Sequence, residues 1–235
     1  MRTLKVLSAL LTYPTSELQA AAPELKAALD AEAVLPRAHR DAVVRLIDDL
    51  AGRDLYDAQE RYILLFDRTR SLSLHLFEHV HGESRDRGQA MVDLIGLYRA
   101  GGFAPVGGEL PDFLPLFLEF ASTRAPKAAI DLVGQPANVI AALGERLAKR
   151  RSPYEAVMAA LLAVGRVKLD QTALAALRAE PDPEPDDLEA LDAAWVDQEV
   201  TFGPTDNRDS CPVDRMAERL RVASQSQPQP RGARP

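Results

Sequence analysis

Hydrophobic positions recur at helical spacing along most of the chain. Near the amino terminus, Leu4, Leu7 and Leu11 fall on one face of a helix. The following Tyr13-Pro14 pair predicts the end of that helix, because the residue before a proline is driven out of the α region. No run of alternating β-branched residues is long enough for a strand. The pattern predicts an all-α fold.

Capping residues and glycines set further helix boundaries. Thr15 or Ser16 is suited to cap the second helix, and Asp54 to cap a helix that begins just after a previous one ends at Gly52. The sequence SPYE at residues 152–155 is a capping box with proline at the first helical position, which predicts that a helix begins there. These signals indicate a bundle of helices.

The same spacing predicts which side chains form the core. The stretch from Phe113 to Phe120 is apolar on nearly every side, so we expect a central buried helix there, the spine of the bundle. A pattern around residues 91–98 continues until Gly101-Gly102 ends it. The other predicted core positions are Val43, Ile47, Leu50, Tyr62, Ile63, Phe66, Met91, Leu94, Ile95, Tyr98, Val157, Met158, Leu161 and Leu162.

The carboxyl-terminal part differs in composition from the rest. We predict a single all-helical domain over residues 1–180, followed at 181–235 by a proline-rich acidic linker, a short amphipathic helix and a disordered tail. The amphipathic helix is predicted at residues 186–199, where Leu188, Leu191 and Trp195 recur at i, i+3 and i+7 in an acidic segment, and a disordered acidic tail is the alternative. The tail is the sequence SQSQPQPRGARP, which has nothing to bury.

Charge is distributed unevenly along the chain, which has a net charge of −7. Residues 1–180 are nearly balanced, with 23 acidic and 22 basic residues. Residues 181–209 hold 10 acidic and 1 basic, and residues 210–235 hold 2 acidic and 5 basic. A nucleic-acid-binding protein would present a net basic surface, so the balanced body argues against that function.

Cysteine content and apolar run lengths bear on the compartment. The single Cys211 excludes an intramolecular disulfide and a thiolate metal cage. The longest apolar run, Ala156 to Val164, is far shorter than the roughly 18 residues that a membrane-spanning helix needs. We therefore expect a soluble cytoplasmic protein without stable membrane insertion.

Three of the four histidines, His75, His79 and His81, lie within seven positions. His75, Glu78 and His79 match the H-x-x-E-H pattern, in which two histidines ligate zinc and the glutamate activates water. A zinc-dependent hydrolase is therefore one hypothesis. No clear third ligand follows, and nucleophile and phosphate-loop motifs are absent, so we expect no metal, no cofactor and no catalysis. A helix carrying polar histidines is the simpler interpretation.

Three fragments together resemble a known family. They are LTYP at residues 11–14, LHLFEHVHGESRDRGQAM at 74–91 and ELPDFLPLFLEF at 109–120. They are similar to the NarJ-type assembly chaperones of respiratory nitrate reductase, within the wider TorD-like chaperones of molybdenum enzymes. The resemblance spans about residues 1–165, and a later WVDQEVTFG stretch is similar to tails in that family.

The resemblance implies an all-helical chaperone of the TorD-like type rather than an enzyme. Such a chaperone would bind the N-terminal segment of the apo catalytic (alpha) subunit of nitrate reductase and keep that subunit open for insertion of the molybdenum cofactor. It would also delay attachment to the membrane subunit. A helical structural or signalling adaptor is a further alternative.

The resemblance also implies a partner-binding surface. By it we place this surface on Asp67, His75, Phe77, His79, His81, Glu83, Arg85, Asp86, Arg87, Gln89, Glu109, Pro111 and Asp112. Some of these residues have a structural alternative. Pairs of Arg85 or Arg87 with Glu109 or Asp112 would pin two helices together, and the ELPD sequence before Phe113 suits a capping loop.

Overall fold

The computed structural model describes residues 1–81, 85–184, 187 and 189, with only the backbone of Arg85. The predicted amphipathic helix lies outside the described residues apart from positions 187 and 189, and the predicted tail lies outside them entirely. The described helices, with one short 3-10 turn η1 between α5 and α6, are α1 (Arg2–Leu10), α2 (Ser16–Ala20), α3 (Ala22–Glu32), α4 (Arg37–Gly52), α5 (Leu55–Phe66), η1 (Arg70–Leu72), α6 (Glu78–His81), α7 (Arg85–Ala100), α8 (Leu114–Ser122), α9 (Pro126–Gly134), α10 (Ala137–Lys149), α11 (Glu155–Gly165) and α12 (Gln171–Ala179).

The predicted all-α fold is confirmed. Within the described residues there is no strand, only one isolated antiparallel bridge between His75 and Phe113. No helix in this part of the chain is long and apolar enough to cross a membrane.

The predicted boundaries of the first helices are also confirmed. Helix α1 ends before the Tyr13-Pro14 pair. Thr15 caps α2, because its side-chain oxygen accepts a hydrogen bond from the Leu18 N–H at 3.2 Å. Asp54 caps α5 by accepting from the Tyr56 N–H at 2.9 Å. Each cap satisfies a backbone donor that the helix itself leaves unpaired.

A helix begins within the predicted residues 152–155, but the predicted capping box with proline at the first helical position is not formed. Helix α11 begins at Glu155, and its N-cap Tyr154 makes no side-chain capping hydrogen bond. The Glu155 N–H donates instead to the backbone oxygen of Ser152 at 3.1 Å, so these residues form a tight turn. The fully buried Tyr154 ring packs edge-on against Phe66, 5.1 Å between ring centroids. The buried Tyr154 ring thus lies in a turn, at a position where the capping box predicted the first turn of the helix.

Helix α11 lies at the centre of the bundle, packed against α1, α4, α9 and α10. Helix α8 is largely buried, as predicted, and packs mainly against α1 and α9, so it shares the central role with α11. The crossing of α9 and α11 depends on two glycines. A Cβ added to Gly165 would lie 3.3 Å from the Cα of Gly134, so larger residues would push the helices apart.

The start of the predicted acidic linker contacts the helical body. Asp182 accepts hydrogen bonds from Ser71 Oγ at 2.8 Å, from Arg150 Nη2 at 2.7 Å and from Lys149 Nζ at 3.2 Å. Arg146, on the same helix as Lys149, donates to the backbone oxygens of Ser71 and Leu177, both at 2.7 Å. The chain after α12 is thus held against α10 and η1.

Candidate functional site

The bridge between His75 and Phe113 joins two of the sequence blocks that predicted a site. The Leu76 N–H donates to the Asp112 backbone oxygen at 3.1 Å, and the Leu114 N–H donates to the Leu74 backbone oxygen at 2.8 Å. The residues around His75 and those around Asp112 are therefore neighbours, although a whole helix, α7, separates them in sequence.

Asp112 organises this junction from a fully buried position. Its Oδ2 accepts a hydrogen bond from the Phe77 N–H at 3.0 Å, and its Oδ1 lies 3.3 Å from His75 Nδ1. The hydrogen bond to Asp112 is the main cause that raises the pKa of His75, and the charges of Asp112, Glu78 and Glu109 add to it. Phe77 is itself buried, so the contact between Asp112 and Phe77 holds the loop before α6 in place from the interior.

The three clustered histidines have different environments. His79 is buried, and its Nε2 lies 2.8 Å from the backbone oxygen of Ser73. Burial lowers the pKa of His79, so the neutral ring donates to that oxygen. His81 is partly exposed and packs edge-on against Phe77, 5.5 Å between ring centroids. Only His75 and His81 of the three have substantial contact with solvent.

The geometry of these histidines does not match the H-x-x-E-H zinc site. That site needs both histidines on one face of a helix, but α6 begins at Glu78, and His75 precedes it in the bridge. The Nδ1 of His75 faces Asp112, and Nε2 of His79 faces a backbone oxygen. Among the described residues, no three His, Cys, Asp or Glu side chains are grouped to hold a metal ion.

The remaining predicted residues near this junction have varied surroundings. Arg87 lies 3.2 Å from Glu78, rather than pinning the helix to Asp112 as one alternative predicted. Pro111 accepts a hydrogen bond from the Tyr98 hydroxyl at 2.6 Å through its backbone oxygen. The side chains of Asp86, Gln89 and Glu109 are exposed. Glu83 and the side chain of Arg85 lie outside the described residues.

A second surface, which the sequence did not single out, is an open groove of about 700 Å³ along α5. We call it the α5 groove. Three large apolar side chains there are exposed to solvent, Tyr13 by 45%, Tyr56 by 79% and Ile63 by 41%. The groove is lined by Tyr13, Tyr56, Asp57, Gln59, Glu60, Ile63, Leu64, Asp67 and Arg68.

The groove exists because α5 has two different faces. Tyr62 and Phe66 point into the core, where their rings pack 5.0 Å apart. Tyr56, Glu60 and Ile63 follow at i, i+4 and i+7 on the outer face. The predicted core position of Ile63 is therefore wrong, because the aromatic residues of the opposite face fill the space beneath the helix. Tyr56 and Ile63, seven residues apart with Asp57 and Glu60 between them, are the sequence signal that could have revealed this surface.

The Tyr13-Pro14 turn forms one wall of the groove. The Gln59 side-chain amide donates to the Pro14 backbone oxygen at 2.9 Å. The Tyr13 ring packs edge-on against Tyr62, 5.7 Å between centroids, and the Tyr62 hydroxyl donates to the Leu11 backbone oxygen at 2.8 Å. These contacts fix an exposed tyrosine beside the outer face of α5, so the groove is preformed.

The groove carries an excess of negative charge. Asp57, Glu60 and Asp67 line it together with a single basic residue, Arg68. Burial raises the pKa of Tyr62 on the opposite face of this helix, and the charges of Tyr154, Glu109 and Asp67 add to it. An apolar floor with acidic borders complements a positively charged amphipathic segment. Of the residues predicted for the site, Asp67 lines the groove.

Comparisons with known proteins agree with the sequence resemblance. Residues 14–160 match the family described as nitrate reductase delta subunit. The chain is 40% identical over 202 residues to the nitrate reductase molybdenum cofactor assembly chaperone NarJ of Escherichia coli K12, covering 86% of this chain and 85% of that protein.

Two further relatives are similar over most of their length. The chain is 37% identical over 227 residues to the probable assembly chaperone NarW of Escherichia coli K12, covering 96% of this chain and 94% of that protein. It is 32% identical over 161 residues to the probable assembly chaperone NarJ of Bacillus subtilis, covering 68% and 86% respectively. All three relatives are named as nitrate reductase molybdenum cofactor assembly chaperones.

Proposed function

Because the chain belongs to the nitrate reductase delta subunit family, we propose that it is a system-specific assembly chaperone of respiratory nitrate reductase. It binds the N-terminal segment of the apo catalytic subunit in the cytoplasm and keeps that subunit competent for molybdenum cofactor insertion before membrane attachment. The observation that carries the proposal is the 40% identity to a nitrate reductase assembly chaperone over 86% of the chain. Its relatives are chaperones and not catalysts.

The α5 groove supports this proposal as the place where the partner segment binds. A chaperone must hold its partner and later release it, which favours an open surface over an enclosed cavity. Tyr56 and Ile63 offer apolar contact on the outer face of α5, and Glu60 lies between them. This arrangement suits an amphipathic helix that lays its apolar side on the groove and its basic side chains against the acidic border.

The predicted site residues take different roles in this account. Asp67 contacts the partner directly in the groove. Asp112, Phe77 and His79 hold the adjoining loops in place from buried positions. The residues that stay predicted as partner contacts at the neighbouring surface are His75, His81, Glu83, Arg85, Asp86, Arg87, Gln89, Glu109 and Pro111.

Co-purification tests the proposed function. The tagged full chain is produced together with the nitrate reductase catalytic subunit in cells that cannot make the molybdenum cofactor, and in cells that can. We expect the apo subunit to be retained, and the cofactor-loaded subunit to be retained much less. A catalytic subunit that lacks its N-terminal segment serves as the control and should be lost. Equal retention of both forms would favour a general adaptor, and no retention of either would refute the proposal.

A further inference from the structure

The chain leaves the helical body beside one end of the α5 groove. Asp182 accepts a hydrogen bond from Ser71, which lies only three positions after the groove residue Arg68. Its other partners are Lys149 and Arg150, whose side chain is only 6% exposed. The region that follows residue 184 therefore starts from a fixed point close to the groove.

The last part of that region has a charge opposite to that of the groove. Residues 210–235 hold 5 basic and 2 acidic residues. Within them, Val213, Met216 and Leu220 recur at i, i+3 and i+7, the spacing of one apolar helix face. Three arginines are interspersed with these apolar residues, at positions 215, 219 and 221. Residues 213–222 also contain Asp214 and Glu218, so the segment is apolar on one face with a net charge of +1.

We propose that residues 213–222 bind the α5 groove of their own chain and compete there with the partner segment. The competition rests on the proposed function, whereas the contact between the segment and the groove does not. Apolar side chains of the segment lie on Tyr56 and Ile63, and its arginines pair with Glu60 and Asp67. The chaperone is then partly self-occupied until a partner segment with a better fit displaces its own.

Chain length permits this contact. Between Glu184 and Val213 there are about 30 residues, and a chain of that length can span about 30 Å even when it is far from fully extended. Helix α5 has 12 residues and is about 18 Å long, so either end of the groove is within reach. A tethered segment has an effective concentration on the order of millimolar, which allows a weak contact to be substantially occupied and still be displaced.

The acidic residues 181–209 offer a competing site for the same arginines. They precede the basic segment in the chain and hold 10 acidic residues. The groove offers exposed apolar side chains, because Tyr56 and Ile63 gain burial when Met216 and Leu220 cover them. The acidic residues also include apolar side chains, Leu188, Leu191 and Trp195, so mapping the contact distinguishes the two sites.

Photo-crosslinking in the full chain, without partner, tests the contact. Tyr56 is replaced by benzoylphenylalanine, and crosslinked peptides are mapped by mass spectrometry. We expect an intramolecular crosslink to residues 213–222, reduced at least tenfold when Arg215, Arg219 and Arg221 are all changed to glutamate. A probe at Val92, an exposed apolar position on α7, and the changes Arg231→Glu and Arg234→Glu are the matched controls. Crosslinks only to residues 181–209, or a yield that the charge reversal leaves unchanged, would overturn the proposal.

Partner affinity gives a second, separate measurement. A peptide with the N-terminal sequence of the catalytic subunit should bind the Arg215→Glu, Arg219→Glu, Arg221→Glu chain about three- to tenfold more tightly than the unmodified chain. Equal affinities would refute the competition. If the peptide binds neither form, the proposed function fails, while the crosslink alone still decides whether the segment occupies the groove.

Discussion

Asp112 and Phe77 are joined by a hydrogen bond of 3.0 Å from the Phe77 backbone N–H to Asp112 Oδ2, across 35 positions of sequence. Both side chains are buried, so this contact belongs to the interior of the protein. It connects the histidine-rich block to the loop before α8. The hydrogen bond therefore fixes the loops that carry the exposed residues of both blocks, but the two bonded residues are not themselves exposed.

Removing the Asp112 carboxylate should destabilise the fold. Asp112→Ala leaves the buried Phe77 N–H without its acceptor and His75 without its carboxylate partner. We expect a loss of about 3 kcal/mol in the free energy of unfolding, measured by urea denaturation. Glu109→Ala, at an exposed acid three positions earlier, is the control and should change the value by less than about 0.5 kcal/mol. Equal losses would show that burial of Asp112 is not the cause.

Phe117 tests the buried helix α8. Its side chain is 3% exposed, so Phe117→Ala should leave a cavity and cost about 3 to 5 kcal/mol of stability, measured by denaturant melting. Leu116→Ala, at the partly exposed neighbouring position, should cost clearly less. If the two variants melt together, α8 does not present the face to the core that we describe.

His75 should make stability depend on pH. Its hydrogen bond to Asp112 raises the pKa of His75 in the folded state above the ordinary value of 6.5. The stabilisation is therefore fully present below about pH 6.5 and is lost as the pH rises through the folded-state pKa. We expect the difference in free energy of unfolding between the unmodified chain and His75→Asn to shrink over this window, measured by urea melts at several pH values. His79 is present in both proteins, so its lowered pKa cancels in the difference. Two parallel pH curves would refute the linkage.

The acidic border of the α5 groove should make partner binding depend on salt. Changing Glu60→Gln and Asp67→Asn removes two of the charges that face a basic segment. We expect weaker binding of the catalytic-subunit peptide at low salt and a flatter dependence of its affinity on salt concentration, measured by fluorescence anisotropy. Glu119→Gln with Asp131→Asn, two exposed acids on α8 and α9, is the matched control. The same flattening in the control would trace the effect to net charge rather than to the groove.

Local sequence signals predicted the helices better than the site. Caps such as Thr15 and Asp54 act on donors within the next three residues, so sequence spacing alone reveals them. The burial of Asp112 depends on contacts 35 positions away, which no local pattern contains. The family resemblance named residues of this block, but it could not separate the side chains that hold the loops from those that are exposed to solvent.

The choice between Tyr62 and Ile63 shows the same limit. Both are apolar and adjacent on α5, and helical spacing permits either to face the core. The rings of Phe66 and Tyr154 surround Tyr62, at 5.0 and 6.4 Å between centroids, and turn Ile63 outward. Likewise, a proline-rich acidic composition gave no sign that Asp182 would contact Arg150 on α10. Both outcomes depend on the packing of distant helices.

The central claim is that the α5 groove binds the N-terminal segment of the catalytic subunit, and calorimetric titration with that peptide tests it most directly. The Tyr56→Ala, Ile63→Ser double variant removes the exposed apolar contacts, and Val92→Ser with Val106→Ser removes exposed apolar side chains elsewhere. We predict at least tenfold weaker binding for the groove variant, with unfolding stability unchanged within about 0.5 kcal/mol, and unaltered binding for the control. Unaltered affinity in a folded groove variant, or equal weakening in both, would contradict the claim.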